Sequence, residues 1–306
     1  MGDITSGANA GGEAAASCTF DDATVSTAPA PLPDGRRAPA PLATLPPGAW
    51  RGVQGLLTDI DDTLTRDGAI EPVALAALHG LRAAGVPVVA ITGRPLGWCR
   101  ELTAPWPVAA VVAENGAVAL VRDPATGAVH TEYVQDAATR ARNARRLAAV
   151  SARIVAEVPG AMPARDSAGR ETDIAIDHAE FVPLDKAGVA RVVAIMRAEG
   201  LVASVSSIHV NGWIGTHDKA SGADWMLQRL FGQRLASDAG RWVYVGDSPN
   251  DEALFERLPH AVGVANLLRF GATLRHWPAW LAASERGQGF AEVAAALLAQ
   301  RRAAAA

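Results

Sequence analysis

Cysteine, lysine and aromatic residues are scarce in this chain, and its shortages exclude whole classes of function. Its 2 cysteines, Cys18 and Cys99, leave no room for a disulfide framework or a thiolate metal site. No stretch reaches the about 20 uncharged apolar residues that a membrane helix needs. The opening Met1-Gly2-Asp3-Ile4 lacks the basic start and apolar core of a secretion signal. A formal net charge of -4 gives no electrostatic case for nucleic acid or an anionic membrane. The 7 histidines, His209 and His217 among them, show no metal-ligand spacing, so packing or surface roles are expected. A cytoplasmic location is the resulting expectation. Of the 28 Lys plus Arg, only Lys186 and Lys219 are lysine, so a lysine at a chemically apt place is informative.

What is present is a length of 306 residues, 49% of them apolar, enough for two domains and a sizeable core. Residues 1–47 are rich in Ala, Gly, Pro, Ser and Thr, lack periodicity, and are expected to be disordered. Translation starting nearer Trp50 is another source of such a stretch. From Trp50 onward, apolar runs alternate with helical patterns, which predicts an α/β fold with a doubly wound parallel sheet. Strands are expected at about 53–59, 86–91, 108–113 and 242–245, and a helix at about 71–85 opens with Pro72 at its first position. Each strand ends in a polar turn. Between about 125 and 211 the pattern changes to alternation, as in Thr172 to Asp177 and Leu201 to Val210, around helices near 137–157 and 185–199. Alternation implies strands with one wet face, hence a smaller α+β cap domain with an antiparallel sheet. The turns Asp123 to Gly127 and Asn211-Gly212 mark its ends. The core is then 48–124 and 212–303, and the Ala-rich residues from 291 form an amphipathic terminal helix.

The strand ends carry the chemistry. Asp59-Ile60-Asp61-Asp62 follows the first apolar strand, at the carboxyl edge where open α/β sheets bind ligands. Carboxylates this close resist joint ionisation unless a cation sits between them. Thr92-Gly93-Arg94, Lys219, and Gly246-Asp247-Ser248-Pro249-Asn250-Asp251 complete the constellation. Phosphoryl transfer needs a nucleophile in line, a proton donor for the leaving oxygen, and positive charge over the equatorial oxygens. Asp59 can attack phosphorus, and Asp61 can protonate the leaving group and then activate water. Thr92 and Gly93 can hold the phosphoryl oxygens with Lys219 and Asn250, and Arg94 is placed for substrate contact. Asp59, Asp61, Asp247 and Asp251 offer the all-oxygen donors that Mg²⁺ prefers.

Standing alone, every piece also has an ordinary structural reading. Asp59-x-Asp61 reads as a capped turn, Thr92 as a helix N-cap, Lys219 as a surface lysine, and the Asp247 segment as a helix start with acids in its first turn. Ser206, Ser207 and Asn211 either face substrate or satisfy a hairpin, and Arg170 and Glu171 read as a polar loop. Trp277 and Trp280 are expected to pack the C-terminal segment.

In order and spacing, these segments resemble the four motifs of the haloacid dehalogenase superfamily. Glu114-Asn115-Gly116-Ala117 further resembles its Cof-like, sugar-phosphate phosphatase branch with a class IIB cap. The resemblance spans about 53–296. It implies a Mg²⁺-dependent phosphatase with Asp59 as nucleophile, Asp61 as acid and base, Thr92 and Lys219 as phosphate ligands, and Mg²⁺ on Asp59, the Asp61 carbonyl and Asp247. Asp62 stands where many members have glycine. Spacing places the cap independently: Asp62 to Thr92 holds about one βαβ unit, whereas Thr92 to Lys219 is far longer than one crossover. The expected substrate is a sugar phosphate or related small phosphorylated metabolite, with a homodimer left open. Mannosyl-3-phosphoglycerate phosphatase activity, a phosphomutase sharing the aspartyl phosphate, and a receiver-like regulatory protein are the alternatives. The last is disfavoured because Thr92 precedes Lys219 across a whole inserted domain.

Overall fold

The computed structural model describes residues 38–305. Its main sheet has nine strands, in the order Ala40–Pro41, Trp280–Leu281, His260–Gly263, Trp242–Gly246, Gly55–Thr58, Val88–Ile91, Ala110–Ala113, Val118–Arg122 and Val129–Tyr133. The first seven run parallel, and the last two close one side as antiparallel strands. Along the chain the order grows from Gly55–Thr58 in one direction and later, from Trp242–Gly246, in the other. These two strands are neighbours, so the point where the winding reverses lies between them, and a ligand crevice opens there.

Alternate residues of the central strands feed two cores, as strand geometry requires. Leu56, Val88, Ala90, Val243 and Val245 pack with Leu78, Leu81, Phe290 and Leu297 on one face. Leu57, Val89, Ile91 and Tyr244 pack with Ala223, Met226 and Leu227 on the other. The helices Pro72–Ala83 and Arg286–Ala305 cover the first face, and Lys219–Phe231 covers the second. In the terminal helix Phe290, Val293, Ala294 and Leu297 form the buried stripe. That helix begins at Arg286, earlier than its alanines suggest.

A second sheet has the antiparallel order Val202–Val205, His209–Trp213, Asp173–Asp177, Met162–Pro163. The helices Ala137–Glu157 and Lys186–Ala198 pack on it around Leu147, Ile154, Ile176, Val192, Met196 and Val210. Asp136 and Asp185 cap these helices by accepting from Thr139 N and Gly188 N.

Three expectations need correction. Ala40–Pro41 pairs with Trp280–Leu281 and buries Leu42, so the irregular stretch does not extend to 47. Edge pairing supplies an order that composition does not reveal. Residues 1–37, with Cys18, lie outside the described residues. Val129–Tyr133, read as part of the insert, pairs with Val118–Arg122 in the main sheet. Asn211-Gly212 is not a turn: the two residues sit mid-strand opposite Ala175 and Ile174. There, a Cβ on Gly212 would meet Met196 Sδ at 2.7 Å, so packing rather than turning requires the glycine.

Candidate active site

The two central strands end side by side and deliver Asp59 and Asp247 into the crevice. Both are buried, as are Asp251 and Lys219. Lys219 opens its helix behind the N-cap Asp218, whose carboxylate accepts from Ser221 N at 2.6 Å. The Lys219 ammonium donates to Asp59 Oδ1 at 2.6 Å, Asp251 Oδ1 at 2.7 Å and Asn250 Oδ1 at 3.1 Å. Burial opposes its charge, yet Asp251 and Asp59 outweigh burial and raise its pKa.

Asp59, Asp247 and Asp251 offer carboxylate oxygens within 4.8 Å of one another. Burial, reinforced by Asp251 and Asp61, lifts Asp59 to about 8 against the pull of Lys219. Burial and the Asp59 carboxylate likewise push Asp247 well above the usual range. One ammonium does not balance three carboxylates. Asp247 Oδ1 is buried without a hydrogen-bond partner, while its Oδ2 accepts from Asn266 Nδ2 at 3.1 Å. An orphaned carboxylate oxygen in an all-oxygen cluster of excess negative charge fits a hard divalent cation. Asp251 is different: Oδ1 accepts from Lys219 and from Tyr244 Oη at 2.5 Å, and Oδ2 from the amides of Asp247 and Ser248. Four donors leave it as an anchor for Lys219 rather than an open ligand.

Asp62 lies in the left-handed region at φ 55, which explains why glycine suits this position and why Asp, tolerated there, can replace it. Its carboxylate pairs with Arg286 at 2.8 Å, and its carbonyl accepts from Asn266 at 3.0 Å. Asn266 therefore ties the Asp62 and Asp247 loops together.

The other side of the crevice is built by Thr92-Gly93-Arg94. Thr92 Oγ1 accepts from Arg94 N at 2.9 Å and donates to Asp61 Oδ2 at 3.3 Å. Arg94 donates to Asp61 Oδ1 at 2.8 Å, and beyond it to Asp166 at 3.1 Å and Glu180 at 2.7 Å, both from the second sheet's loops. Glu180 also pairs with His209 Nε2 at 2.9 Å. Arg170, read as part of a polar loop, is buried: it donates to Gly93 O at 2.9 Å and Asp173 Oδ1 at 2.9 Å. Asn211 reaches Gly93 O at 3.4 Å and Asp173 Oδ2 at 3.3 Å. Ser206 instead satisfies its hairpin, its Oγ accepting from His209 N at 3.0 Å. Trp277 and Trp280 pack against the cores of the main sheet.

The Glu114-Asn115-Gly116 turn joins the two sheets. Glu114 accepts from Leu96 N at 3.0 Å, Thr172 N at 2.6 Å, Glu171 N and the Thr172 hydroxyl. Glu114 and Asn115 both have positive φ, at 49 and 56, a strain retained only where surroundings over-determine it. A Cβ on Gly116 would lie 2.2 Å from Asp218 O, so only glycine lets this turn seat on the helix that carries Lys219.

The structure thus brings together Asp59, Asp61, Thr92, Gly93, Arg94, Lys219, Asn250, Asp247 and Asp251. Sequence reasoning missed Asp166, Glu180, His209, Asn266 and Tyr244. Asn266 follows a strand end and was findable on that ground; the others carry no local signal.

A model of the haloacid dehalogenase-like hydrolase family matches residues 56–141. No match is found among curated proteins. Solved structures with the same fold include protein 0175 of Thermoplasma acidophilum, at 18% identity and TM-score 0.60, over 80% of this chain and 98% of that one. The sucrose-phosphatase of Synechocystis sp. PCC6803, in complex with sucrose and phosphate, is similar at 18% identity and TM-score 0.56, over 80% and 98%. A trehalose-6-phosphate phosphatase related protein follows at 16% identity and TM-score 0.53, over 81% and 100%. Residues 56–141 thus match the haloacid dehalogenase-like hydrolases, and the chain shares its fold with the solved structures above.

Proposed function

We propose that this hydrolase is a Mg²⁺-dependent phosphomonoesterase acting on a small phosphorylated metabolite of the sugar-phosphate kind. Residues from about 137 to 213 would form its cap. The observation that carries the reading is Lys219 seated against Asp59 at 2.6 Å, beside the orphaned oxygen of Asp247. Mg²⁺ would be held by Asp59, the Asp61 carbonyl and Asp247, and supplies positive charge against the phosphoryl oxygens. Asp59 Oδ forms a bond to phosphorus as the ester P–O bond breaks, giving an aspartyl phosphate. Asp61 gives its proton to the departing alkoxide, then takes one from the water that attacks the phosphorus. That second attack frees the Asp59 carboxylate and inorganic phosphate. Lys219 and the Thr92 hydroxyl bind the phosphoryl oxygens, and Asp251 and Asn250 fix the lysine. The cap shuts out bulk water and reads the alcohol portion.

Among the described residues no helix is long and apolar enough to cross a membrane, and we take the cytoplasm as the site of action. Phosphate release from a panel of sugar phosphates and p-nitrophenyl phosphate, with Mg²⁺ and with EDTA, tests the reading. Metal-dependent release lost in Asp59→Asn is expected. A folded protein releasing phosphate from no ester would overturn it, and transfer of phosphate within the substrate would point to a mutase.

A further inference from the structure

Asp61 faces the leaving oxygen in the reading above, so whatever surrounds Asp61 on its far side meets the alcohol portion of the ester. That surrounding is unusual in charge. Arg94 Nε lies 2.8 Å from Asp61 Oδ1, and the other two guanidinium nitrogens reach Asp166 Oδ2 and Glu180 Oε1. Asp166 Oδ1 pairs in turn with Arg170 at 3.3 Å, which also holds Asp173. Four carboxylates (Asp61, Asp166, Asp173 and Glu180) thus share two guanidiniums, with His209 beside Glu180. The two cap acids are also held in place. Glu180 sits on a loop whose amides at 179, 180, 181 and 182 all donate to the Asp177 carboxylate, at 2.9 to 3.2 Å. Yet Asp166 and Glu180 are not sealed: their side chains remain 15% and 16% exposed, against 4% for Arg94.

We propose that Asp166 and Glu180 determine specificity, selecting leaving groups that are uncharged and bear hydroxyls and rejecting those with a carboxylate near the ester. The inference rests on the phosphatase reading and names its substrate class. A hydroxyl can donate to the spare lone pairs of Asp166 and Glu180 while both keep their arginine partner. A carboxylate has two options, both unfavourable. It can sit beside an already net negative cluster, or it can take Arg94 and leave two partly buried acids short of their cation. The arrangement therefore speaks against a phosphoglycerate-type ester, and with it against the mannosyl-3-phosphoglycerate alternative.

Glycerol 3-phosphate and 3-phosphoglycerate have the same length and differ by one hydroxymethyl against one carboxylate. They are compared as substrates, and as competitors of p-nitrophenyl phosphate. Wild type is expected to favour glycerol 3-phosphate in kcat/KM or in competition by about tenfold or more. Raising ionic strength should narrow that ratio, because it screens the repulsion. Asp166→Asn and Glu180→Gln, singly and together, should narrow it further, chiefly through KM for 3-phosphoglycerate. The salt series needs no variant and stands even if the substitutions disturb the cap. Preference for 3-phosphoglycerate, equal or absent competition by the two compounds, or a ratio unmoved by salt and by both substitutions overturns the inference. Failure to hydrolyse p-nitrophenyl phosphate and every other ester would instead remove the phosphatase reading, and the inference with it.

Discussion

Two clusters of buried charge face each other across the crevice, and they are resolved differently. Around Lys219, three carboxylates share one ammonium, and one oxygen of Asp247 has no partner. Around Arg94 and Arg170, four carboxylates are each hydrogen-bonded to a guanidinium, and Glu180 gains His209 as well. The first cluster is incomplete without something positive. The second is closed among side chains and joins the two sheets. Burying charge costs several kcal/mol per ion, so a site left uncompensated marks where a ligand brings the missing charge. A cluster that is net negative but in which every acid has a guanidinium partner marks where shape and recognition are fixed.

The comparison breaks most sharply at Asp59, the proposed nucleophile. Asp59→Asn should lower phosphate release by about 10⁴-fold or more with the circular dichroism spectrum retained; residual turnover above about a tenth would assign the nucleophile elsewhere. Arg170→Met should cost about 3–5 kcal/mol in urea denaturation, since it strands the buried Asp173. Burial lifts Asp173 to about 7 against the pull of Arg170, and removing that pull raises it further. The loss should therefore be larger at pH 8.5, where only wild type holds the ionised pair, than at pH 6, where the acid stays neutral in both.

Saturating Mg²⁺ should come next in size. At about 100-fold over its Kd it adds about 2.7 kcal/mol, read as a rise in Tm that Asp247→Asn abolishes. An equal rise in the variant would place the cation outside this cluster. The smallest effect concerns Glu180. Burial raises its pKa, but hydrogen bonds from His209 and Arg94 outweigh that and hold it at about 2, against an ordinary 4.5. A depressed carboxylate stabilises the fold above the unfolded value, and that contribution fades as pH falls from 4.5 toward 2. Stability of Glu180→Gln should accordingly vary less with pH over this window than that of wild type, and an unchanged slope would show that the pair contributes nothing to folding.

The two clusters were unequally legible. Asp59, Thr92, Lys219 and Asp247 announce themselves because each ends a strand or opens a helix, where local rules of polarity and capping apply. Asp166 and Glu180 sit on cap loops that read as ordinary polar segments, and His209 opens a strand with no signal of its role. Asn211-Gly212 looked like a turn and is a strand, because its neighbours supply both ladder bonds and a sulfur that only glycine accommodates. Ala40–Pro41 looked irregular and pairs at the sheet edge.

What the sequence alone determined is the alternation of apolar strands and helices, the acids at strand ends, and an insert too long to be a crossover. Periodicity and spacing are local quantities, and they suffice for these. Only the tertiary structure decided that Lys219 would meet Asp59 across 160 positions, and that Arg94 would meet Asp166 and Glu180 across 72 and 86. Such pairings depend on how two sheets are set against each other. Their energy comes from desolvation and partner geometry that exist only once the chain has closed its long loops.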